Sequence, residues 1–293
     1  MKRTLLALSL GFSLLAGCQT HVTVPPLPQW QSPSQQDHEL VGKIVELKTG
    51  RELTPAQLVQ QLQQAPSVLI GEKHDNTDHH QLEAWLLKAL REPSQSQRVL
   101  LEMLVPSQQA AVDAVQKRWT NWPRDESLEE ALQWQKGWPW QAYQPVVEQA
   151  LNDGYQLYAA NIERSHISEL YKAPQPLTGT ASTDPAVQTQ LQQYIRQSHC
   201  GLLPESQEVP MIGIQQHRDR SMAQAIADQS TPAILVAGAY HARKDVGVPL
   251  HLSDLQQAQP AVLILSEVNG KAVTAAQADY VWYTPAEADK DYC

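Results

Sequence analysis

The chain is poor in the features that mark several functional classes. Among 293 residues it has three cysteines and one phenylalanine, and no CxxC pair that would suggest thiol redox catalysis. There is no HExxH, in which two histidines share one helix face around a metal. Lysine and arginine form no cluster and the formal net charge is −9, which argues against nucleic acid or an anionic lipid surface as a partner. Beyond the first few residues no apolar run approaches membrane length. Internal repeats and heptads are also missing, which excludes solenoids and coiled coils.

What the chain does have begins at its amino end. Lys2 and Arg3 precede an apolar run from Leu5 to Leu15 that ends in Leu15-Ala16-Gly17-Cys18. This reads as a secretory signal peptide over residues 1–17 with a lipoprotein cleavage site. An ordinary signal peptide beside a chance cysteine is the alternative. The segment resembles bacterial lipoproteins, which implies that Cys18 carries the lipid. The same resemblance implies that Gln19, not being Asp, permits sorting to the outer membrane, with the chain expected to be anchored on its periplasmic side rather than spanning it. Residues 18–38, with Pro25, Pro26, Pro28 and Pro33, read as a tether. Cys200 and Cys293 are then candidates for one disulfide pinning the chain end to the body; against it, two thiols far apart in sequence need not be close in space.

The body reads as an α/β fold. Val68-Leu69-Ile70 is continuous rather than alternating, as in a parallel strand covered on both faces. Gly71 is expected to break that strand, and Thr77 or Asp78 to cap a helix carrying Leu82, Trp85, Leu86 and Leu90. Apolar runs at 99–104, 156–160, 234–237 and 261–265 repeat the pattern, with helices at about 77–91, 106–115, 163–171, 186–199 and 215–229. Val41–Leu47 reads as a short strand, Thr54-Pro55 as a helix start and Val281–Tyr283 as a short edge strand. This order implies a mostly parallel sheet covered by helices, with the core formed by residues 39–118 and 151–293. The insert at 119–150 holds five of the eight tryptophans. It reads either as a satellite core, since aromatics bury large areas, or as a small helical lid walling a flat ligand.

The polar residues just after the core strands are Glu72 and His74, Glu102, Asn161, Tyr240 and His241, and Glu267. In a parallel sheet they converge on one edge, where ligands of such sheets bind. Glu72, His74, Glu102 and His241 therefore form a candidate constellation: parts of a general acid–base pair or ligands of a divalent transition metal. Glycines at 71 and 238 allow sharp turns before the histidines. His79 and His80, in the first turn of a helix, read as solvated surface or as supporting residues.

The motifs GEKHDNTDHH, LLEML, HRDRSMAQAI and GAYHARKDVGVP, with the cysteine at the signal peptide end, resemble the ChaN-like haem-binding lipoproteins. That family belongs with TraB, Tiki and erythromycin-esterase-like proteins. The resemblance implies an α/β core with a helical lid, haem held between them, a role in iron or haem uptake, and allows a homodimer. It implies a tyrosine iron ligand, for which Tyr143 in the aromatic insert is the first candidate and Tyr240 the second, with His74 and His241 also near the haem. With no CxxCH, haem would be bound non-covalently. It also implies a competing class: His74, Glu102 and His241 match a metal-dependent hydrolase site in which Glu72 or Glu102 is the base.

Overall fold

A computed structural model describes residues 23–228 and 230–288. The signal peptide, Cys18 and Cys293 lie outside the described residues. Cys200 is disulfide-bonded. Among the described residues no helix is long and apolar enough to cross a membrane.

In chain order the elements are β1 (Ile44–Glu46), β2 (Arg51–Leu53), α1 (Pro55–Leu62), β3 (Ser67–Glu72), α2 (Thr77–Leu90), β4 (Arg98–Leu101) and α3 (Gln109–Arg118). They continue with α4 (Leu128–Ala131), α5 (Trp140–Asn152), β5 (Gln156–Ala159), α6 (Arg164–Lys172), α7 (Pro185–Ser198) and α8 (Glu205–Ala227). The chain closes with β6 (Ala233–Gly238), α9 (Ala239–Ala242), α10 (Val248–Asp254), β7 (Ala261–Glu267) and β8 (Tyr280–Thr284).

The strands form one sheet in the order β2-β1-β8-β7-β3-β6-β4-β5. From β8 to β5 every pairing is parallel, while β1 is antiparallel to both β8 and β2. The alternation of strand side chains divides the core in two. Val68, Ile70, Val99, Leu101, Ile234 and Val236 face the layer that contains α1, α2, α3 and α5. Leu69, Leu100, Leu235 and Ala237 face α8, α9 and α10. Both faces are buried, which is why the strands read as unbroken apolar runs.

Several local expectations hold. Thr54 and Gln57 form a reciprocal capping box at α1, with Pro55 in its first turn, a device worth roughly 1 kcal/mol. Others are corrected. Gly71 does not end its strand: it pairs with Ala237 and Ile264 inside β3, and an added Cβ would meet Ile264 Cδ1 at 2.5 Å and Ala239 Cα at 3.0 Å. The glycine is there for close packing. Asn76, not Thr77 or Asp78, caps α2 by accepting from the His79 amide. Asp78 instead accepts from the backbone amides of Gln31 and Ser32, at 2.7 and 3.1 Å. Trp85 Nε1 donates to the carbonyls of Pro25 and Pro26, so much of the stretch expected to be a tether is bound to the body. β8 is not at the edge, because the β1–β2 hairpin adds on beside it. α8 starts at Glu205 rather than near 215 and carries Pro210 within it.

The tryptophan-rich segment divides by depth. Trp134, Trp140 and Tyr143 belong to the main core, with Trp138 packed against it. Trp134 and Trp140 meet edge to face at 5.1 Å. Trp138 reaches the sheet edge, where its ring lies 4.9 Å from that of His74.

Candidate functional site

The sheet order decides which strand ends meet. β3, β6 and β4 are adjacent, so Glu72 at the end of β3, Glu102 just after β4 and Gly238 at the end of β6 fall together. His74 follows β3, and His241 stands in the short α9. Together with Lys73, Trp138, Tyr194, Gln215, Arg218 and Tyr240 they line a cleft of about 490 Å³, within the roughly 300–1,000 Å³ usual for small-molecule and cofactor sites. A cavity beneath the opposite ends of the strands, lined by residues such as Ser67, Gln97 and Ala233, is smaller, at about 220 Å³. It holds none of this chemistry.

Glu102 is the hub. It is 1% exposed, yet its charge is compensated on every side. The Gly238 amide donates to Oε2 at 2.8 Å, Arg218 donates to Oε1 at 3.2 Å and His241 Nε2 lies 3.3 Å from Oε1. Burial alone would raise its pKa, but His241, His74 and Arg218 hold it far below the carboxylate range. His241 is fixed from its other side by Asp219, with Nδ1 to Oδ1 at 2.6 Å. Burial opposes its charge, but Glu102 and Asp219 outweigh burial and raise its pKa to about 9. At neutral pH His241 is an imidazolium. Asp219 is pushed up to about 6 by burial, partly offset by His241, and is largely ionised there.

His74 is the open partner, its side chain 42% exposed. Nδ1 is 2.8 Å from Glu72 Oε1, and Nε2 is 3.9 Å from Glu102 Oε2. Burial works against its proton, but the bond to Glu72 and the charge of Glu102 raise its pKa. Glu72 is fully enclosed. Burial would raise its pKa, yet His74 and His80 bring it down to about 2.

Tyr143 and Tyr240 take opposite positions. Tyr143 is 0% exposed and its hydroxyl donates to Glu72 Oε1 at 2.7 Å. Burial and the charge of Glu72 push its pKa far up, so it stays a neutral phenol beneath the cleft. Tyr240 lines the cleft, stacked on Tyr194 at 3.4 Å, with the Arg243 guanidinium 4.9 Å from its ring centre.

Two strand-end residues do not join the cleft. Glu267, on β7, accepts from Lys73 Nζ, Asn76 Nδ2 and the Glu287 amide, fastening the chain end. Asn161 is a brace, donating to the Glu102 carbonyl and accepting from Arg218 Nε. Of the two readings of His79 and His80, solvated surface is set aside in favour of supporting residues: they are 0% and 3% exposed. His79 accepts from the Lys73 amide and bonds Thr284, and burial lowers its pKa to about 3. The helix turn follows the buried end of β3, so its first residues point inward. Sequence reasoning assigned no role to Gln215 or Arg218, and none to Asp219 beyond its place in a motif. The polar run at 215–220 gave no signal of its own, because it has the composition of a solvated helix face.

The family model described as haem-binding uptake, Tiki superfamily, ChaN matches residues 58–252. The chain belongs to that family. A solved structure titled for cofacial heme binding to ChaN of Campylobacter jejuni is 30% identical, with a TM-score of 0.77, covering 85% of this chain and 98% of that one. The ChaN-like chain thus has the α/β architecture of that protein. More distant likenesses, both 12% identical, are the type III effector HopBA1, at a TM-score of 0.44 over 78% of this chain and 91% of that one, and an erythromycin esterase mutant in its open conformation, at 0.45 over 85% and 84%. No curated protein matches the chain.

Proposed function

We propose that this ChaN-like chain holds haem non-covalently in the cleft above β3, β6 and β4, in iron or haem uptake at the outer membrane. The supporting observation is the cleft lining, in a chain of the haem-binding uptake family. Trp138, Tyr194 and Tyr240 offer aromatic surface, His74 and Tyr240 offer iron-binding atoms, and Arg218 and Lys73 offer positive charge. This donor set fits haem, whose iron supplies a Lewis-acid centre for a phenolate or imidazole. Tyr240 is the better ligand candidate than Tyr143, whose hydroxyl is committed to Glu72. His74 borders the cleft, and the Arg218 side chain, braced by Asn161, supplies a cation for carboxylate groups of the ligand. The Trp138 segment covers the His74 side of the cleft and is the candidate lid.

Haem binding is favoured over the hydrolase alternative by the state of the proposed metal ligands. Glu102 and His241 are engaged with each other, with Arg218 and with Asp219. Among the described residues, His74, Glu102 and His241 do not form a group whose donor atoms all lie within 4.8 Å of one another.

Titration of hemin into the purified chain, followed by the Soret band, tests the reading. The expected outcome is a saturable shifted band that changes position in Tyr240→Phe and persists in Tyr143→Phe; no saturable band would overturn it. For the anchor, Cys18→Ser is expected to move the protein from the membrane fraction to the soluble fraction. Retention in the membrane would refute lipidation at Cys18.

A further inference from the structure

Behind the cleft lies a second group of donors that the haem site accounts for only through one oxygen of Glu72. Glu72 ends β3, and His80 and Glu83 lie three residues apart in α2, hence on the same helix face. One donor atom from each lies within 4.8 Å of the other two, and all three residues are buried. Glu72 uses its two oxygens differently. Oε1 serves His74 and Tyr143, whereas Oε2 has no hydrogen-bond partner. His80 Nε2 is 2.8 Å from that oxygen and helps hold Glu72 ionised, but neither atom is in a well-aligned hydrogen bond. Glu83 is 0% exposed; neither of its oxygens has a donor from another side chain or the backbone, and its one polar neighbour is the Glu72 carboxylate, to which it can hydrogen-bond only when one of the two is protonated.

Unpartnered buried carboxylates are costly, of order several kcal/mol when charged, and persist only where something neutralises them. Either Glu83 holds a proton against Glu72, or a cation sits among the three. From the geometry we infer that Glu72, His80 and Glu83 bind a divalent first-row transition metal. Two carboxylates and a neutral imidazole balance a divalent charge. The nitrogen donor favours manganese, iron or zinc over magnesium and calcium, and the lack of sulfur disfavours copper(I). A separate cavity of about 360 Å³, lined by His74, Asp75, His80, Gln81 and Pro139 among others, reaches His80 from the surface and supplies the access path such a site needs. Because Glu72 touches both groups, an ion here would lie behind the haem cleft and fix the carboxylate that orients His74.

Burial and the charge of Glu72 push the Glu83 pKa well up, so the competing state is a protonated Glu83. Glu83→Gln mimics that neutral acid in size and should fold. The test is metal analysis of the freshly purified chain, then titration of the chelator-treated chain with Mn²⁺ and Zn²⁺, read by bound metal and by the shift in Tm. The expected result is stoichiometric metal and a Tm that rises with added ion. Loss of a ligand in Glu83→Gln should weaken binding by at least about 100-fold, above the effect of losing an outer partner, while Glu126→Gln, at a solvent-exposed ion pair, keeps it. The inference is overturned by no stoichiometric metal or by Glu83→Gln binding as wild type. None of these readouts depends on hemin.

Discussion

The two GxxH corners are alike in sequence and unlike in environment. At Gly71-Glu72-Lys73-His74 the strand ends in a buried carboxylate and the histidine projects outward, 42% exposed at the side chain. At Gly238-Ala239-Tyr240-His241 the histidine turns inward to 6% exposed between two carboxylates, and the tyrosine before it takes the outward place. The motif therefore specifies a turn at a strand end, and its neighbours decide which residue serves the cleft. The His241 corner is a closed ion network. The His74 corner is open on its cleft side and carries unpartnered donors behind.

Removing the hub of the closed corner should have the largest effect. Glu102→Ala leaves the buried His241 imidazolium with Asp219 alone and Arg218 without its carboxylate partner, and breaking a buried ionic group this way costs about 3–5 kcal/mol. The same truncation at the open corner, His74→Ala, should cost less, about 1.5–3 kcal/mol, because Glu72 is buried but keeps the Tyr143 hydroxyl as a donor when the imidazole is removed. Urea denaturation midpoints of the two variants measure the contrast. Equal losses would mean that the corners are not energetically different.

The pH dependence of stability sharpens the same point. His241 has its pKa raised from the ordinary 6.5 to about 9 in the folded chain. Its contribution is thus fully present below pH 6.5 and is lost as pH rises through about 9. The loss should be on the order of 2–3 kcal/mol. Asp219, raised to about 6, acts in a lower window: its ionisation costs stability between its ordinary value and about 6. Denaturation at pH 6.5 and 9.5 should show the fall in wild type and little of it in Glu102→Gln. An unchanged midpoint would show that His241 titrates normally.

How much of this was legible in the sequence follows from what burial does to a pattern. Strands covered on both faces leave continuous apolar runs, so β3 to β7 could be read, and their polar ends located Glu72, His74, Glu102 and His241. The neighbour relations could not, since nothing in Val281–Tyr283 says that a hairpin of short, half-polar strands adds beside it. Glu267 looked equivalent to Glu102 because both follow an apolar run; only the position of β7 on the far side of β3 separates them. Polar residues inside helices were the least legible. His80, Glu83, Arg218 and Asp219 have the composition of a solvated face, and inward pointing of a helix turn at a sheet edge is a tertiary fact.

Glycine substitutions probe the corners at smaller scale. Gly71→Ala places a methyl 2.9 Å from Ala242 Cβ and 3.0 Å from Ala239 Cα. Part of that contact is backbone and cannot swing away, so overpacking of about 1–3 kcal/mol is expected, seen as a lower Tm with the sheet intact.

Gly238→Ala should be the mildest change in stability and the most local in effect. Its backbone angles, −55° and 144°, suit alanine without strain. The new methyl would lie 2.7 Å from His74 Nε2 and 2.8 Å from Cε1, with Glu102 Oε2 further off at 3.6 Å. The obstructed atoms are the tip of a ring that is partly in solvent, so a rotation of His74 relieves the clash at a cost of about 1 kcal/mol or less. Tm should change little, while the hemin Soret titration should shift, because the ring bordering the cleft has moved away from Glu102. A Tm loss as large as that of Gly71→Ala would show that His74 is held as rigidly as a core residue, and the contrast between the two corners would disappear.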